Sequence, residues 1–116
     1  MSIELKRVYD TADPEDGYRV LVDRIWPRGI SREASRIDEW RKEVAPSTEL
    51  RKAFHVGSLE WDDFRRGYLS ELTAFRESLR DLARRAKEEK VTLVFSSRDE
   101  RHNNAEVLRQ YLKMLE

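Results

Sequence analysis

The chain has 116 residues, 39% hydrophobic and 40% charged, with 23 basic side chains balanced by 23 acidic ones and no cysteine. That length holds one domain, residues 1–116, and three Trp, four Tyr and four Phe argue for a packed core rather than disorder. The missing cysteine removes disulfides, thiolate nucleophiles and Cys-ligated zinc or iron–sulfur centres, while charge balance removes the global basic field of a non-specific nucleic-acid binder.

Ile3 to Tyr9 alternates: Ile3 and Leu5 point one way, Glu4, Lys6 and Val8 the other, as in a strand with one better-buried face. The opening MSIELKRVYD mixes charge with apolar groups and is not expected to act as a signal peptide. No apolar run approaches the roughly 20 residues of a membrane span, so a soluble cytoplasmic protein is expected. Thr11 to Gly17 consists of turn formers and acids and reads as a loop. Tyr18 to Ile25 is a second strand, and its Val20-Leu21-Val22 run is apolar on both faces, the pattern of a central strand under helices. It runs out into Asp23, Arg24, then Trp26-Pro27-Arg28-Gly29.

A weak helical pattern begins at Ser31, which can cap a short turn through Ser35, with Ile37 and Trp40 as apolar anchors. Pro46 stops that stretch, and Ser47 is the expected N-cap of a helix over Thr48 to His55. Leu50, Ala53 and Phe54 form its inner face, and Gly57 sits where a C-cap belongs. Ser58 is expected to cap the longest periodic stretch, where Trp61, Phe64, Tyr68, Leu72, Phe75, Leu79, Leu82 and Ala86 recur every three or four residues. That stripe fits one long helix or two with a break near Thr73 to Ser78. Its arginines interleave with Glu71, Glu77, Asp81, Glu88 and Glu89, which reads as a solvated face rather than a basic stripe. Val91 to Ser96 is a third, buried strand, and Ala105 to Leu115 a closing helix capped by Asn103 or Asn104. The order implies an α/β fold: a small, mostly parallel sheet of about three strands packed with helices in two or three layers.

Two apolar strands thus end in polar clusters, Asp23 to Gly29 and Ser96 to Asn104. Parallel pairing puts both at the carboxyl edge of the sheet, where open α/β folds place ligand crevices. There Arg24, Arg28 and Arg98 offer planar donors suited to carboxylate or phosphate, and the amino end of the last helix adds backbone N–H groups. Asp23, Ser96, Ser97, Asn103 and Asn104 add hydrogen-bonding groups, and Trp26 can stack on a ring. The expected partner is an anionic small molecule or nucleotide. The structural counter-reading pairs Arg24 and Arg98 with Asp23, Asp99 or Asp38 as ties between loops.

Two further readings compete with it. A hydrolase or transferase takes His102 as general acid–base and Asp99 as the group that orients it. An interaction or self-association module uses Trp26, Trp40 and the loops around them. His55, near a helix end, reads as structural. Ser96 and Ser97 lack the flanking glycines of a nucleophile elbow, and the four glycines build no phosphate loop. Two distant histidines, with no loop of metal-binding carboxylates, lead to no expected metal or cofactor. Three Trp can all be absorbed inside so small a core, so they fix no oligomeric state.

The segments KRVYD, DGYRVLVDRIWPRGIS, WRKEVAPSTELRKAF, FRRGYLSEL and VTLVFSSRDERHNNAEVL follow one another in an order and spacing that resembles the YeaO-like family (domain of unknown function 488) across nearly the whole chain. The resemblance implies a small α/β protein and brings no assigned activity. It points to Asp23, Arg24, Trp26, Pro27, Arg28, Pro46, Ser47, Arg98, Asp99, His102 and Asn103. Other branches of the wider family carry a cysteine after the late strand; this chain has Ser96-Ser97-Arg98 there, so thiol chemistry does not transfer. A looser likeness to rhodanese-type domains fails at the same position.

Overall fold

The computed structural model describes residues 2–115. Its centre is a four-stranded, parallel sheet of β1 (Ile3–Arg7), β2 (Tyr18–Leu21), β3 (Glu39–Trp40) and β4 (Val91–Phe95), in the order β1-β4-β2-β3. The apolar patterning foretells three of these strands. The fourth, β3, is two residues long and carries no apolar run; it adds an edge where Glu39 and Trp40 pair with Val20 and Leu21. Every residue of β4 is buried, as suits a strand flanked on both sides and covered on both faces. The second strand ends at Leu21, short of the expected Ile25, although the Val22 N–H still donates to the Val94 carbonyl at 3.0 Å before Asp23 leaves the ladder.

Register sorts side chains between the faces. Val91 and Leu93 stand level with Ile3, Leu5, Tyr18 and Val20 across the ladders. On that face lie α2 (Thr48–His55), α3 (Trp61–Leu72), α4 (Arg76–Glu88) and α5 (Asn104–Met114). They close the main core with Phe64, Tyr68, Leu72, Leu79, Leu82, Leu108 and Leu112. The opposite face has no long helix. Val8, Leu21 and Val94 form a small cluster there, shut by Trp26, Ile30, Ile37 and Trp40 and by the one-turn α1 (Arg32–Ser35). One sheet and one helical layer therefore make the domain, 21 Å thick along its shortest axis.

The helix-poor face also holds side-chain ion pairs. A 3-10 turn at Pro14–Asp16, inside the stretch expected to be plain loop, brings the Asp16 carboxylate to Lys6 Nζ at 3.2 Å and Arg19 Nη1 at 2.6 Å. Arg19 is 3% exposed and also donates from Nε to the Ser35 carbonyl. Thr92 Oγ1 donates to the Asp16 carbonyl at 2.6 Å.

Side-chain caps stand at three of the five helix starts. Ser31, Ser47 and Asn103 each accept an N–H from the first turn of α1, α2 and α5. Between α3 and α4 the helix breaks at a 3-10 turn, Thr73–Phe75. There the hydroxyls of Thr73 and Ser78 donate back to the carbonyls of Ser70 and Phe75, competing with the helical ladder. Ser58 is the exception. Its Oγ donates to the Ala53 carbonyl at 2.9 Å, finishing α2, and Glu60 stands at the start of α3 without a side-chain cap.

Tyr68 threads from α3 through the core to donate its hydroxyl to the Val44 carbonyl at 2.5 Å. Burial pushes this phenol far above its ordinary pKa, so it stays a neutral donor. Tyr68→Phe strands a buried carbonyl and is expected to cost about 1–3 kcal/mol, read as a lower denaturation midpoint at unchanged m-value.

Candidate functional site

Because β2 and β4 are parallel, Asp23 and Ser96 leave the sheet at the same edge. The Asp23 carboxylate ties that edge together. Oδ2 accepts both the N–H and the hydroxyl of Ser96, at 2.9 and 2.6 Å, and Oδ1 accepts the Asn104 amide at 3.1 Å. Asn104 also donates to the Val22 carbonyl, and the Asp23 carbonyl accepts Trp40 Nε1 at 2.7 Å. The ends of β2 and β4 and the start of α5 are thus locked by one carboxylate.

Beside this lock lies a cleft of about 140 Å³. The sheet edge gives it Asp23, Arg24 and Ile25, and the β4–α5 loop gives Ser96, Ser97, His102, Asn103 and Asn104. Ala45 and Pro46 lead into α2, which contributes Arg51, Phe54 and His55, and Phe64 comes from α3. Arg24 is held by carbonyl groups, with Nη2 donating to Ala45 at 3.0 Å and Nε to Pro46 at 3.3 Å. Arg51 has no ion pair among the described residues, and its Nε is shielded from water without an acceptor. A buried donor left unmet costs about 1–3 kcal/mol, which an acceptor entering the cleft relieves.

Of the residues expected at the site, Asp23, Arg24, Ser96, Ser97, Asn103 and His102 border this cleft, and Trp26, Arg28, Arg98 and Asp99 do not. Pro27 and Gly29 carry the chain over to the helix-poor face. There Trp26 packs edge-on against Trp40 at 5.4 Å, donates Nε1 to the Ile30 carbonyl and lies under the Arg32 guanidinium. Arg28 is exposed and supplies only its carbonyl, to the Tyr9 hydroxyl. Arg98 is exposed on the β4–α5 loop and does not border the cleft. The proposed ties of Arg24 and Arg98 to Asp23, Asp99 or Asp38 are also missing from the ion pairs; Asp38 instead accepts the Arg19 N–H.

Asp99 and His102 are not arranged as an orienting pair. Asp99 Oδ1 accepts the backbone N–H groups of His102 and Arg101, both at 2.9 Å, and these hold its carboxyl below the ordinary range. Its other oxygen stays 3.9 Å from His102 Nδ1, beyond hydrogen-bond reach. The imidazole is instead stacked on Trp61, ring centres 4.7 Å apart and 20° from parallel. Arg7 is a further unforeseen member of this edge: it clamps the loop by donating to the carbonyls of Ser97 and Ser96.

The sequence reading places Phe54 and Phe64 on apolar helix faces and takes His55 as structural near a helix end, and it gives Arg51 no role. A local signal existed, since Arg51 and His55 are four apart and share a face of α2. What points that face at the sheet edge is tertiary: the Ser47 N–H donates to Glu71 of α3 at 2.8 Å, and Phe54 stacks on Phe64.

Residues 2–115 match the family described as the inactive DUF488-N3 subclade. The chain belongs to this family. An uncharacterized protein of Escherichia coli K12, YeaO, is 48% identical over 115 residues, covering 99% of this chain and 100% of that protein. Two mycobacterial proteins, Rv3073c of Mycobacterium tuberculosis H37Rv and Mb3100c of Mycobacterium bovis, are each 43% identical over 112 residues, 95% of this chain and 92% of theirs. No solved structure gives a significant match. Among the described residues of this DUF488-N3 chain, no helix is long and apolar enough to cross a membrane, and no group of three or more His, Asp or Glu is placed to hold a metal ion.

Proposed function

We propose that the chain is a cytoplasmic binding module that holds a small anion in the cleft between the sheet edge, α2 and the β4–α5 loop. One observation carries this reading: Arg24 and Arg51 both border the cleft without a carboxylate partner among the described residues, while the one carboxylate there, Asp23, is already engaged by Ser96 and Asn104. Elsewhere the chain pairs its arginines, as in Arg66–Asp63, Arg84–Asp81, Arg85–Glu89 and Arg109–Glu106. Unpaired guanidinium groups facing one cavity favour an anion.

Turnover has less behind it. His102 has no orienting carboxylate, and the family's description as an inactive subclade agrees with binding without chemistry. Self-association has less in its favour, since Trp26 and Trp40 are half-buried against the small cluster and both indole N–H groups are bonded internally.

The test is a titration of the ¹⁵N-labelled protein with sodium acetate at constant ionic strength. Saturable shifts are expected at the Ser96, Ser97 and Asn103 amides. Arg51→Ala is expected to weaken binding about 10- to 100-fold, the loss of one charge-assisted hydrogen-bonding group. Unsaturable, scattered shifts in the parent protein, or an affinity untouched by both Arg51→Ala and Arg24→Ala, sink the proposal.

A further inference from the structure

We infer that the anion is a small planar monocarboxylate of the benzoate type, its carboxylate held by Arg24 and Arg51 and its ring set against the apolar wall of the same cleft. This rests on the anion-binding reading and narrows it to a ligand class.

Three observations select that class. The first is charge. Two guanidinium groups and the Asp23 carboxylate leave one net positive charge among the permanently charged groups that border the cleft, which a monoanion neutralises and a phosphate dianion overshoots. The second is the wall. Phe54 and Phe64 border the cavity with their rings stacked, centroids 4.5 Å apart and 23° from parallel, so a flat aromatic face is already built. Ile25, which borders it too, is 64% exposed, an apolar side chain left in water where a ligand ring would cover it. The third is size. At about 140 Å³ the cleft is close to the roughly 150 Å³ that accommodates a benzene ring, and well short of the roughly 300–1,000 Å³ of sites that enclose drug-sized or nucleotide ligands. The planar fork of an arginine matches a carboxylate in two-point contact, and aromatic rings add attraction through offset stacking.

The measurement is calorimetric titration of the full chain with benzoate, acetate and benzyl alcohol at one pH and ionic strength. Benzoate is expected to bind at least about tenfold more tightly than acetate, the return on covering one ring face. Benzyl alcohol, with the ring and no charge, is expected to give no saturable heat. Phe54→Leu, a half-buried position that tolerates leucine, is expected to shrink the benzoate-over-acetate ratio below about threefold with an unchanged far-ultraviolet spectrum. Equal affinities for acetate and benzoate overturn the ring and leave the anion reading standing. Benzyl alcohol binding as well as benzoate overturns the carboxylate. Silence from all three overturns both readings together.

Discussion

Replacing Asp16 with alanine is expected to remove about 3–5 kcal/mol of folding stability, the cost of stranding a buried charge once its partner is gone. Arg19 is 3% exposed and lies inside the sheet's helix-poor face, so it cannot turn to water when the carboxylate disappears. Its Nη2 already lacks a hydrogen-bond partner, and Asp16 supplies the acceptor for Nη1 at 2.6 Å. Lys6, half-buried beside it, loses both of its contacts at 3.2 Å. Against a total stability of about 5–15 kcal/mol for a domain of this kind, that is a large share. Chemical denaturation at neutral pH measures it. A loss below about 1 kcal/mol means that the pair is hydrated and the account of this face is wrong.

The same carboxylate makes a pH prediction. Burial by itself raises the Asp16 pKa, but the Asp13 N–H, Lys6 and Arg19 outweigh it and hold the group below its ordinary value of 3.8. A depressed folded-state pKa means that the unfolded chain takes up the proton first. The stabilisation is therefore complete above 3.8 and fades as pH falls through the lower folded value. Asp16→Asn is expected to flatten the acid limb of the stability curve while leaving its shape near neutrality alone.

How far the sequence exposes this molecule depends on whether the deciding contact is local. Ser47 followed by a helical stripe marks α2 to the residue, whereas the stripe from Trp61 to Ala86 fits one helix or two, and the structure breaks it at Thr73–Phe75. Val20-Leu21-Val22 and Val91–Phe95 announce themselves as central strands because both of their faces are apolar. Strand β3 is invisible by the same rule, since Glu39 and Trp40 form an edge pair held by β2 rather than by their own pattern. The candidate site divides in the same way. Asp23, Ser96 and Asn104 follow from two parallel strands and a cap. Arg51 reaches the cleft only because α2 leans on α3, and His102 meets Trp61 across 41 positions of sequence. Trp26 misleads for a physical reason: Pro27 and Gly29, which look like the end of a strand at a ligand edge, turn the chain to the other face of the sheet.

Gly17→Ala is expected to be as damaging as the loss of Asp16, and it reaches the candidate site through the sheet. Gly17 has φ +69 and ψ −135, a region that costs other residues about 1–3 kcal/mol. A Cβ there falls 2.2 Å from the Lys90 carbonyl oxygen, the acceptor that receives the Tyr18 N–H at 2.9 Å and starts the β2–β4 ladder. Backbone must move to clear that collision, and the ladder that moves is the one that delivers Asp23 and Ser96 to a common edge. Gly57 provides the control, with φ +79 and nothing within 4 Å of an added Cβ. Gly57→Ala is expected to cost only the conformational penalty of about 1–2 kcal/mol, and Gly17→Ala at least about 3 kcal/mol. Equal losses in the two variants show that backbone preference alone accounts for both, and that Lys90 yields without disturbing the sheet. A larger loss at Gly17, accompanied by shifted Ser96 and Asn104 resonances, ties the cleft's geometry to a turn at the far end of its strands.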